Sequence, residues 1–140
     1  DDGMKNAMAY AAKRGIDVKI IMPHIPDKKY AYLLARTYYP ELIASGVKIY
    51  ENEPGFTHAK IFVSDEEKAT VGSINLDFRS LYLHFECGTY LYRNSKVADV
   101  EKDFEKTLEK CISVTLKDCA QYNWFGIKAG RFLRLIAPLM

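Results

Sequence analysis

An imidazole and an ammonium group stand two residues apart in the segment THAKIFVSD, at His58 and Lys60. The alternating and β-branched character of this segment predicts a strand over residues 58–64. Side chains at positions i and i+2 of a strand share one face, so both groups are expected to point the same way. The cation suits the oxygens of an anionic phosphorus ester. The ring nitrogen suits attack on phosphorus or protonation of a leaving group.

A second strand is predicted over residues 68–72, and a polar turn at 65–67 joins the two strands in a hairpin. Gly72 and Ser73 end this second strand, and Asn75 follows in a loop. Backbone, hydroxyl and amide donors at these positions can stabilise the charge that develops on a pentacoordinate phosphorus. The hairpin therefore predicts a phosphodiester site to which both strands contribute.

The whole pattern, HxKx₄Dx₆GSxN with Asp65 at its centre, resembles the signature of the phospholipase D superfamily. Its fixed positions match by chance with a probability on the order of one in a million in a chain of this length. A His-x-Lys pair alone is more often an exposed strand face. The further residues in register favour the catalytic interpretation.

Longer segments extend the resemblance to the second, C-terminal catalytic half of bacterial cardiolipin synthases. These segments are PGFTHAKIFVSD, VGSINLDFRS, HFECGTYLY, GIDVKIIMP, SGVKIYE and RFLRLIAPLM. The resemblance implies a two-lobed enzyme in which each lobe gives one His and one Lys to a shared site. This chain carries one such motif, so it resembles one lobe that lacks the family's leading strand. We expect the isolated chain to be inactive as a monomer unless a second copy pairs with it.

The resemblance also implies the role of each motif residue. His58 is either the nucleophile that forms a phosphohistidine or the general acid that protonates the leaving alcohol. Lys60 and Asn75 bind the phosphate oxygens, and Ser73 assists them. Glu86 orients the imidazole and stabilises its protonated form, as the Asp of a Ser-His-Asp triad does.

Four other residues carry open interpretations. Asp65 belongs to the motif as a catalytic residue, but its place in a turn favours a structural role. Arg79 pairs with phosphate or with a carboxylate. His24 is interpreted as a loop histidine without a catalytic role. For His84, the same interpretation is favoured over a contact with substrate. We expect no metal and no cofactor, because a histidine nucleophile needs neither and no cluster of Cys, His and carboxylate has ligand spacing.

The implied function is phosphatidyl transfer, in which two phosphatidylglycerols give cardiolipin and glycerol. The implied partners are phosphatidylglycerol, an anionic membrane surface, and the other lobe or a second copy. The implied location is the cytoplasmic face of the bacterial cell membrane, with this chain soluble or peripheral. Two alternatives remain: a phosphodiester hydrolase of phospholipase D or nuclease type, and a non-catalytic lobe for membrane binding or dimerisation. A net charge of +2 argues against nucleic acid as a partner.

The elements that must hold the hairpin follow from hydrophobic periodicity in a chain of 140 residues, the size of one domain. Helices are predicted over 4–13, 29–44 and 96–112, with Pro40 bending or splitting the second, and further strands over 16–22, 47–50 and 85–92. Residues 73–80 are predicted as a polar loop. This alternation predicts an α/β fold with a mixed sheet flanked by helices. Residues 1–120 are expected to form the lobe, and residues 121–140 a basic amphipathic helix.

Three basic residues of this last helix, Lys128, Arg131 and Arg134, fall within about 120° of a helical wheel. Apolar residues take the opposite side: Phe125, Ala129, Phe132, Leu133, Ile136 and Leu139. This pattern is typical of a helix that lies in an anionic membrane interface. The alternative is a helix that docks its apolar face on the domain and leaves its basic residues in solvent.

Overall fold

A computed structural model describes residues 1–53 and 57–136 of the chain. Within them the elements follow in this order: α1 (Asp2–Lys13), β1 (Lys19–Pro23), α2 (Lys29–Arg36), α3 (Tyr39–Ala44), β2 (Lys48–Asn52), β3 (Lys60–Ser64), β4 (Lys68–Gly72), α4 (Phe78–Tyr82), β5 (Gly88–Tyr92), α5 (Lys96–Leu108), β6 (Cys111–Val114), α6 (Leu116–Ala120) and α7 (Trp124–Ile136). The last residues of the predicted C-terminal helix, 137–140, lie outside the described residues.

The strands form two sheets of three strands each in the described part of the chain. In the first, β2 pairs in parallel with β1 and antiparallel with β6. In the second, β3, β4 and β5 are antiparallel neighbours in chain order. The predicted α/β fold class with a mixed sheet is confirmed, although the strands divide between two sheets.

The buried apolar cluster lies between the first sheet and the helices that connect its strands. Its members come from α3, the segment before β2, β2 and β6: Tyr39, Leu42, Val47, Ile49 and Val114. The spacing of Val47 and Ile49 places both side chains on one face of the strand. The parallel β1–β2 pair needs a crossover connection, which α2 and α3 provide.

The helix predicted over 29–44 is two helices, α2 and α3. The Thr37 hydroxyl donates to the Leu34 carbonyl at 2.6 Å, at the residue that ends α2. Pro40 lies in the first turn of α3, where its missing N–H leaves no intrahelical bond unmade. Pro40 was expected either to bend the predicted helix or to split it in two, and the structure shows the split.

The helix predicted over 96–112 is too long, because α5 ends at Leu108 and the next residues form β6. Ile112 continues the helical spacing of apolar residues, yet it pairs with Glu51 of β2. A long-range strand pairing overrides the local period here.

The segment predicted as a polar loop over 73–80 contains the start of α4. Asp77 caps this helix, and its carboxylate accepts from the Ser80 amide at 2.7 Å. The predicted strands also begin later than expected, since β3 starts at Lys60 and β5 at Gly88. His58 and Glu86 therefore lie in the segments just before their strands.

Helix α7 docks on α2 through two glycines. A Cβ at Gly130 would lie 2.6 Å from the Leu33 carbonyl oxygen and 2.7 Å from Cγ2 of Thr37. A Cβ at Gly126 would lie 3.2 Å from Cδ2 of Leu33. Because glycine carries no side chain, the two helix backbones approach closely at this crossing.

An ionic cluster fixes the other end of α7. The Arg134 guanidinium donates to Glu41 of α3 at 2.9 Å and to Asp2 of α1 at 3.1 Å, and it lies over the Tyr38 ring at 4.0 Å. Lys5 joins the cluster with an ammonium–carboxylate distance of 2.9 Å to Glu41. Helix α7 thus docks on the domain through Gly126, Gly130 and Arg134, which differs from both expected arrangements, since Phe125 and Phe132 stay exposed. Membrane binding by Lys128, Arg131 and Arg134 stays a prediction, and the charge of Arg134 is paired within the domain. In the described part of the chain, no helix is both long and apolar enough to cross a bilayer.

Replacement of Gly130 by Ala should destabilise the protein, whereas Gly126→Ala should be neutral or stabilising. Alanine gains about 1 kcal/mol of helix propensity at either site. Overpacking against a backbone atom costs up to about 3 kcal/mol, and at Gly130 the nearest atom is the Leu33 carbonyl oxygen. At Gly126 the neighbour is the mobile end of a leucine. Urea unfolding of both variants would test this, and equal stabilities would contradict the close helix crossing.

Acid should weaken the docking of α7 through Glu41. Hydrogen bonds from Arg134 and Lys5 lower the pKa of Glu41 from 4.5 to about 2. The carboxylate therefore stabilises the fold above its unfolded pKa, and this contribution is lost as the pH falls toward the folded pKa. Glu41→Gln should lower the free energy of unfolding near pH 6. It should also reduce the decrease in this free energy as the pH falls from about 4.5 to 2. Glu109→Gln, at an exposed position after α5, is the control. The same acid profile in Glu41→Gln and wild type would contradict this.

Candidate active site

One pocket of about 260 Å³ is lined by His58, Lys60, Gly72, Ser73 and Asn75. The structure thus brings together five of the motif positions from two separate segments. His58, Ser73 and Asn75 are exposed, and Lys60 is half-buried. An imidazole, an ammonium group, a hydroxyl and an amide therefore border a single volume that solvent reaches.

The pairing of β3, β4 and β5 sets the geometry of this pocket. Lys60 lies opposite Gly72, and Gly72 lies opposite Gly88. A Cβ at Gly72 would overlap the Cys87 carbonyl oxygen and lie 2.6 Å from the Gly88 Cα. Only glycine permits this close approach, which brings the segment before β5 against the end of β4.

Ser73 connects these two segments by hydrogen bonds. Its hydroxyl donates to the Glu86 carboxylate at 2.5 Å and accepts from the Cys87 amide at 3.1 Å. The Ser73 amide donates to the Cys87 carbonyl at 2.9 Å. Hydrogen bonds from Ser73 and then from Ser80 lower the pKa of Glu86. Glu86 is thereby held as an anion beside the pocket. That it also orients His58 stays a prediction.

Asn75 is held by α4. Its amide nitrogen lies 3.5 Å from the hydroxyl of the buried Ser80. Asp77 fixes Ser80 in turn through the N-terminal cap. The short helix, absent from the prediction, therefore supports two candidate site residues at once, Asn75 directly and Glu86 through Ser80.

The Lys60 ammonium donates to the His58 carbonyl at 2.7 Å, which turns the side chain back along the chain. Burial lowers the pKa of Lys60, and the charges of Asp27 and Glu86 act in the opposite direction. The ammonium group of Lys60 can bind an anionic oxygen in the pocket.

The residue before His58 is tied to the first sheet. The Asn52 amide donates to the Thr57 hydroxyl at 2.6 Å. Asn52 is the last residue of β2, so this bond ties the segment that carries His58 to the first sheet.

A buried carboxylate at Glu51 organises the neighbouring end of the first sheet, and sequence analysis did not find it. Glu51 is 2% exposed. Its oxygens lie 2.9 Å from His24 Nδ1, 2.9 Å from the Tyr32 hydroxyl and 3.2 Å from the Arg36 guanidinium. Burial and Glu51 raise the pKa of Tyr32 to about 12, so the phenol stays a donor. The sequence did contain an indication of this site, because residue 51 follows Val47 and Ile49 on the same face of the strand and is an acid.

The other candidates lie outside the pocket lining. Asp65 has a φ of 55° in the β3–β4 turn and accepts from the Ser64 hydroxyl at 2.7 Å. That turn is about 16 Å along the strand from Lys60, so its geometry suits the structural role. Arg79 is exposed on α4, and His84, just after it, helps to lower the pKa of Glu86. His24 is a loop residue with a structural partner in Glu51.

Removal of the Ser73 hydroxyl should raise the pKa of Glu86, because that hydrogen bond is the largest cause of its depression. Carbon-13 NMR of labelled glutamate side chains would follow the titration in Ser73→Ala, with Ser113→Ala on β6 as control. Ser73→Thr should keep the low value, since the hydroxyl is retained. An unchanged titration in Ser73→Ala would remove the serine–carboxylate bond from the site.

Comparison with known proteins places this geometry in a family. A family model described as cardiolipin synthase, PLD-like domain, matches residues 1–108. All 140 residues align at 49% identity with an uncharacterized protein of Streptococcus mutans and span 30% of it. They align at 42% identity with cardiolipin synthase 2 of Bacillus anthracis and span 27% of it. The chain therefore corresponds to under a third of the length of these relatives.

A solved structure shows the same fold. It is Nuc from Salmonella typhimurium, described as a phospholipase D family member. The TM-score is 0.67 at 20% identity, over 79% of this chain and 72% of that one. With the motif, the family model and the fold in agreement, the chain belongs to the cardiolipin synthase, PLD-like domain family of the phospholipase D superfamily.

Proposed function

We propose that this chain provides half of the active site of a phosphatidyltransferase that makes cardiolipin. The observation that carries the proposal is the pocket that joins His58 and Lys60 to Ser73 and Asn75. The relatives named cardiolipin synthase match this chain along its whole length. They support a phosphatidyl group as the substrate moiety.

In the first proposed step, a neutral imidazole attacks the phosphorus of one phosphatidylglycerol. A nitrogen–phosphorus bond forms, the bond to the glycerol oxygen breaks, and a second imidazole gives its proton to that oxygen. In the second step, the free hydroxyl of another phosphatidylglycerol attacks the phosphohistidine. An oxygen–phosphorus bond forms, the nitrogen–phosphorus bond breaks, and the hydroxyl proton passes to the second imidazole. Cardiolipin leaves, and the first imidazole is again neutral. His58 takes one of these two roles, and the histidine of the other lobe takes the other.

The remaining pocket residues stabilise charge in both steps. Lys60 and Asn75 hold the non-bridging phosphate oxygens, where negative charge grows in the pentacoordinate transition state. Glu86 stabilises a protonated imidazole, and its lowered pKa keeps it ionised for that purpose. Ser73 fixes Glu86 and assists at the phosphate.

An uncovered sheet face supports the requirement for a second lobe. Phe62, Tyr90 and Tyr92 share the Lys60 face of the second sheet and are exposed. On the opposite face Ala69 is 2% exposed, and α5 packs against the same sheet. We propose that the other lobe of a longer protein, or a second copy, covers the Lys60 face and completes the site.

His58→Ala should abolish product formation by the protein that carries this chain. Loss of a group central to such a mechanism costs on the order of 10⁴-fold or more. Lys110→Ala, an exposed lysine between α5 and β6, is the control and should retain activity. The assay supplies labelled phosphatidylglycerol vesicles and separates cardiolipin from phosphatidic acid.

Each product pattern decides between the candidate functions. Cardiolipin that depends on His58 supports transfer. Phosphatidic acid without cardiolipin would overturn transfer in favour of hydrolysis, because water then replaces the acceptor hydroxyl. Neither product from a folded protein would favour a non-catalytic lobe.

A further inference from the structure

The side of α7 that points away from the domain combines large exposed apolar residues with basic residues. This outer face is defined by Trp124, Phe125, Lys128, Arg131, Phe132 and Leu135, which fall within an arc of about 120°. Phe125 and Phe132 therefore lie beside Lys128 and Arg131, and the expectation that they take the opposite side of the helix was wrong. Its four apolar members are between 58% and 78% exposed. Lys128 and Arg131 are exposed as well.

The outer face is set by how α7 docks. Gly126, Gly130 and Arg134 face α2 and α3 and belong to the opposite side of the helix. The helix cannot roll without breaking the close crossing and the pairs of Arg134 with Glu41 and Asp2. Large apolar side chains are therefore held in solvent beside two cations.

The composition of the outer face fits a bilayer interface. Residues 122–140 contain no Asp or Glu, so nothing in this segment opposes its basic residues. The Lys128 ammonium lies 3.8 Å from the centre of the Trp124 ring, so the indole and a cation sit at one level. Interfacial helices combine aromatic and aliphatic groups with Lys and Arg in this way. Protein interfaces instead deplete lysine from their cores.

The direction of α7 relates the outer face to the pocket. Gly126 lies against Leu33, Gly130 against Leu33 and Thr37, and Arg134 against Glu41, so α7 and α2 run the same way. The Trp124 end of α7 is therefore level with the first half of α2. The loop before α2 carries Asp27, whose charge acts on Lys60. Two more exposed apolar residues, Ile25 and Tyr30, belong to this end.

We propose that the outer face of α7 binds an anionic bilayer, with Phe125, Phe132 and Leu135 among the acyl chains and Lys128 and Arg131 at the lipid phosphates. Arg134 takes no part, because it holds the helix on the domain. The Trp124 end of the outer face then lies level with the loop that carries Asp27, whose charge acts on Lys60 in the pocket. The inference rests on the proposed function only for phosphatidylglycerol as the test lipid.

The electrostatic part of the proposal is tested by a double charge reversal on α7 and a matched double charge reversal elsewhere. Lys128→Glu/Arg131→Glu and Lys102→Glu/Lys106→Glu change the net charge equally, but the second pair lies on α5. The affinity for phosphatidylglycerol vesicles, measured by cosedimentation, should fall at least tenfold for the α7 pair and by less than twofold for the α5 pair. Equal losses would mean that net charge alone decides and would overturn the proposal. Thermal unfolding checks that both variants fold.

The single tryptophan of the chain reports on insertion. Trp124 emission should shift to the blue on phosphatidylglycerol vesicles, remain unshifted on phosphatidylcholine vesicles, and be quenched by lipids brominated in the acyl chain. Phe125→Ser/Phe132→Ser should reduce binding at least fivefold, whereas Tyr10→Ser, an equally exposed aromatic on α1, should not. Unchanged emission with bound vesicles would place the contact elsewhere and overturn the proposal.

Two further results separate the remaining explanations. His58→Ala should bind vesicles as wild type does, so a failure of catalysis and a failure of membrane binding are distinct outcomes. The other result concerns oligomeric state. If wild type is a dimer, and Phe125→Ser/Phe132→Ser is a monomer that binds vesicles as wild type does, the outer face is a contact between copies. The proposal is then wrong.

Discussion

The charge of one buried carboxylate constrains much of this domain. Glu51 lies on the central strand of the first sheet, and its compensation requires Arg36 and Tyr32 from α2 and His24 from the loop before it. A buried carboxylate that loses its partner costs about 3–5 kcal/mol. The crossover helix and the loop that precedes it are therefore held at fixed positions against β2.

The same network extends toward the C-terminus and toward the pocket. The Arg36 guanidinium is stacked between the rings of Tyr32 and Tyr122, at 4.2 and 4.3 Å, and Tyr122 leads into α7. On the other side, Asn52 follows Glu51 on β2 and binds Thr57, the neighbour of His58. The residues around Glu51 thus connect α7 with the segment that carries His58.

The β3–β4 hairpin depends on a different constraint, the absence of a side chain at Gly72. Its contact with the segment before β5 lets Ser73 reach Glu86 across the sheet. The motif therefore contains two kinds of residue. His58, Lys60 and Asn75 present chemical groups to the pocket, whereas Gly72 and Asp65 shape the strands and the turn that carry them.

The amino-acid sequence by itself determined the local elements and the identity of the motif, because strand alternation and turn residues act over short distances. It predicted the hairpin, the α/β class and the family, all of which are confirmed. The tertiary structure decided what depends on distant partners. Ile112 has helical spacing but pairs with β2. Glu51 is an acid whose burial is made tolerable by α2 and the loop before it. Arg134 shares a helical face with Arg131 in the sequence, yet only Arg134 is paired with Glu41 and Asp2, because a close glycine crossing fixes the rotation of α7.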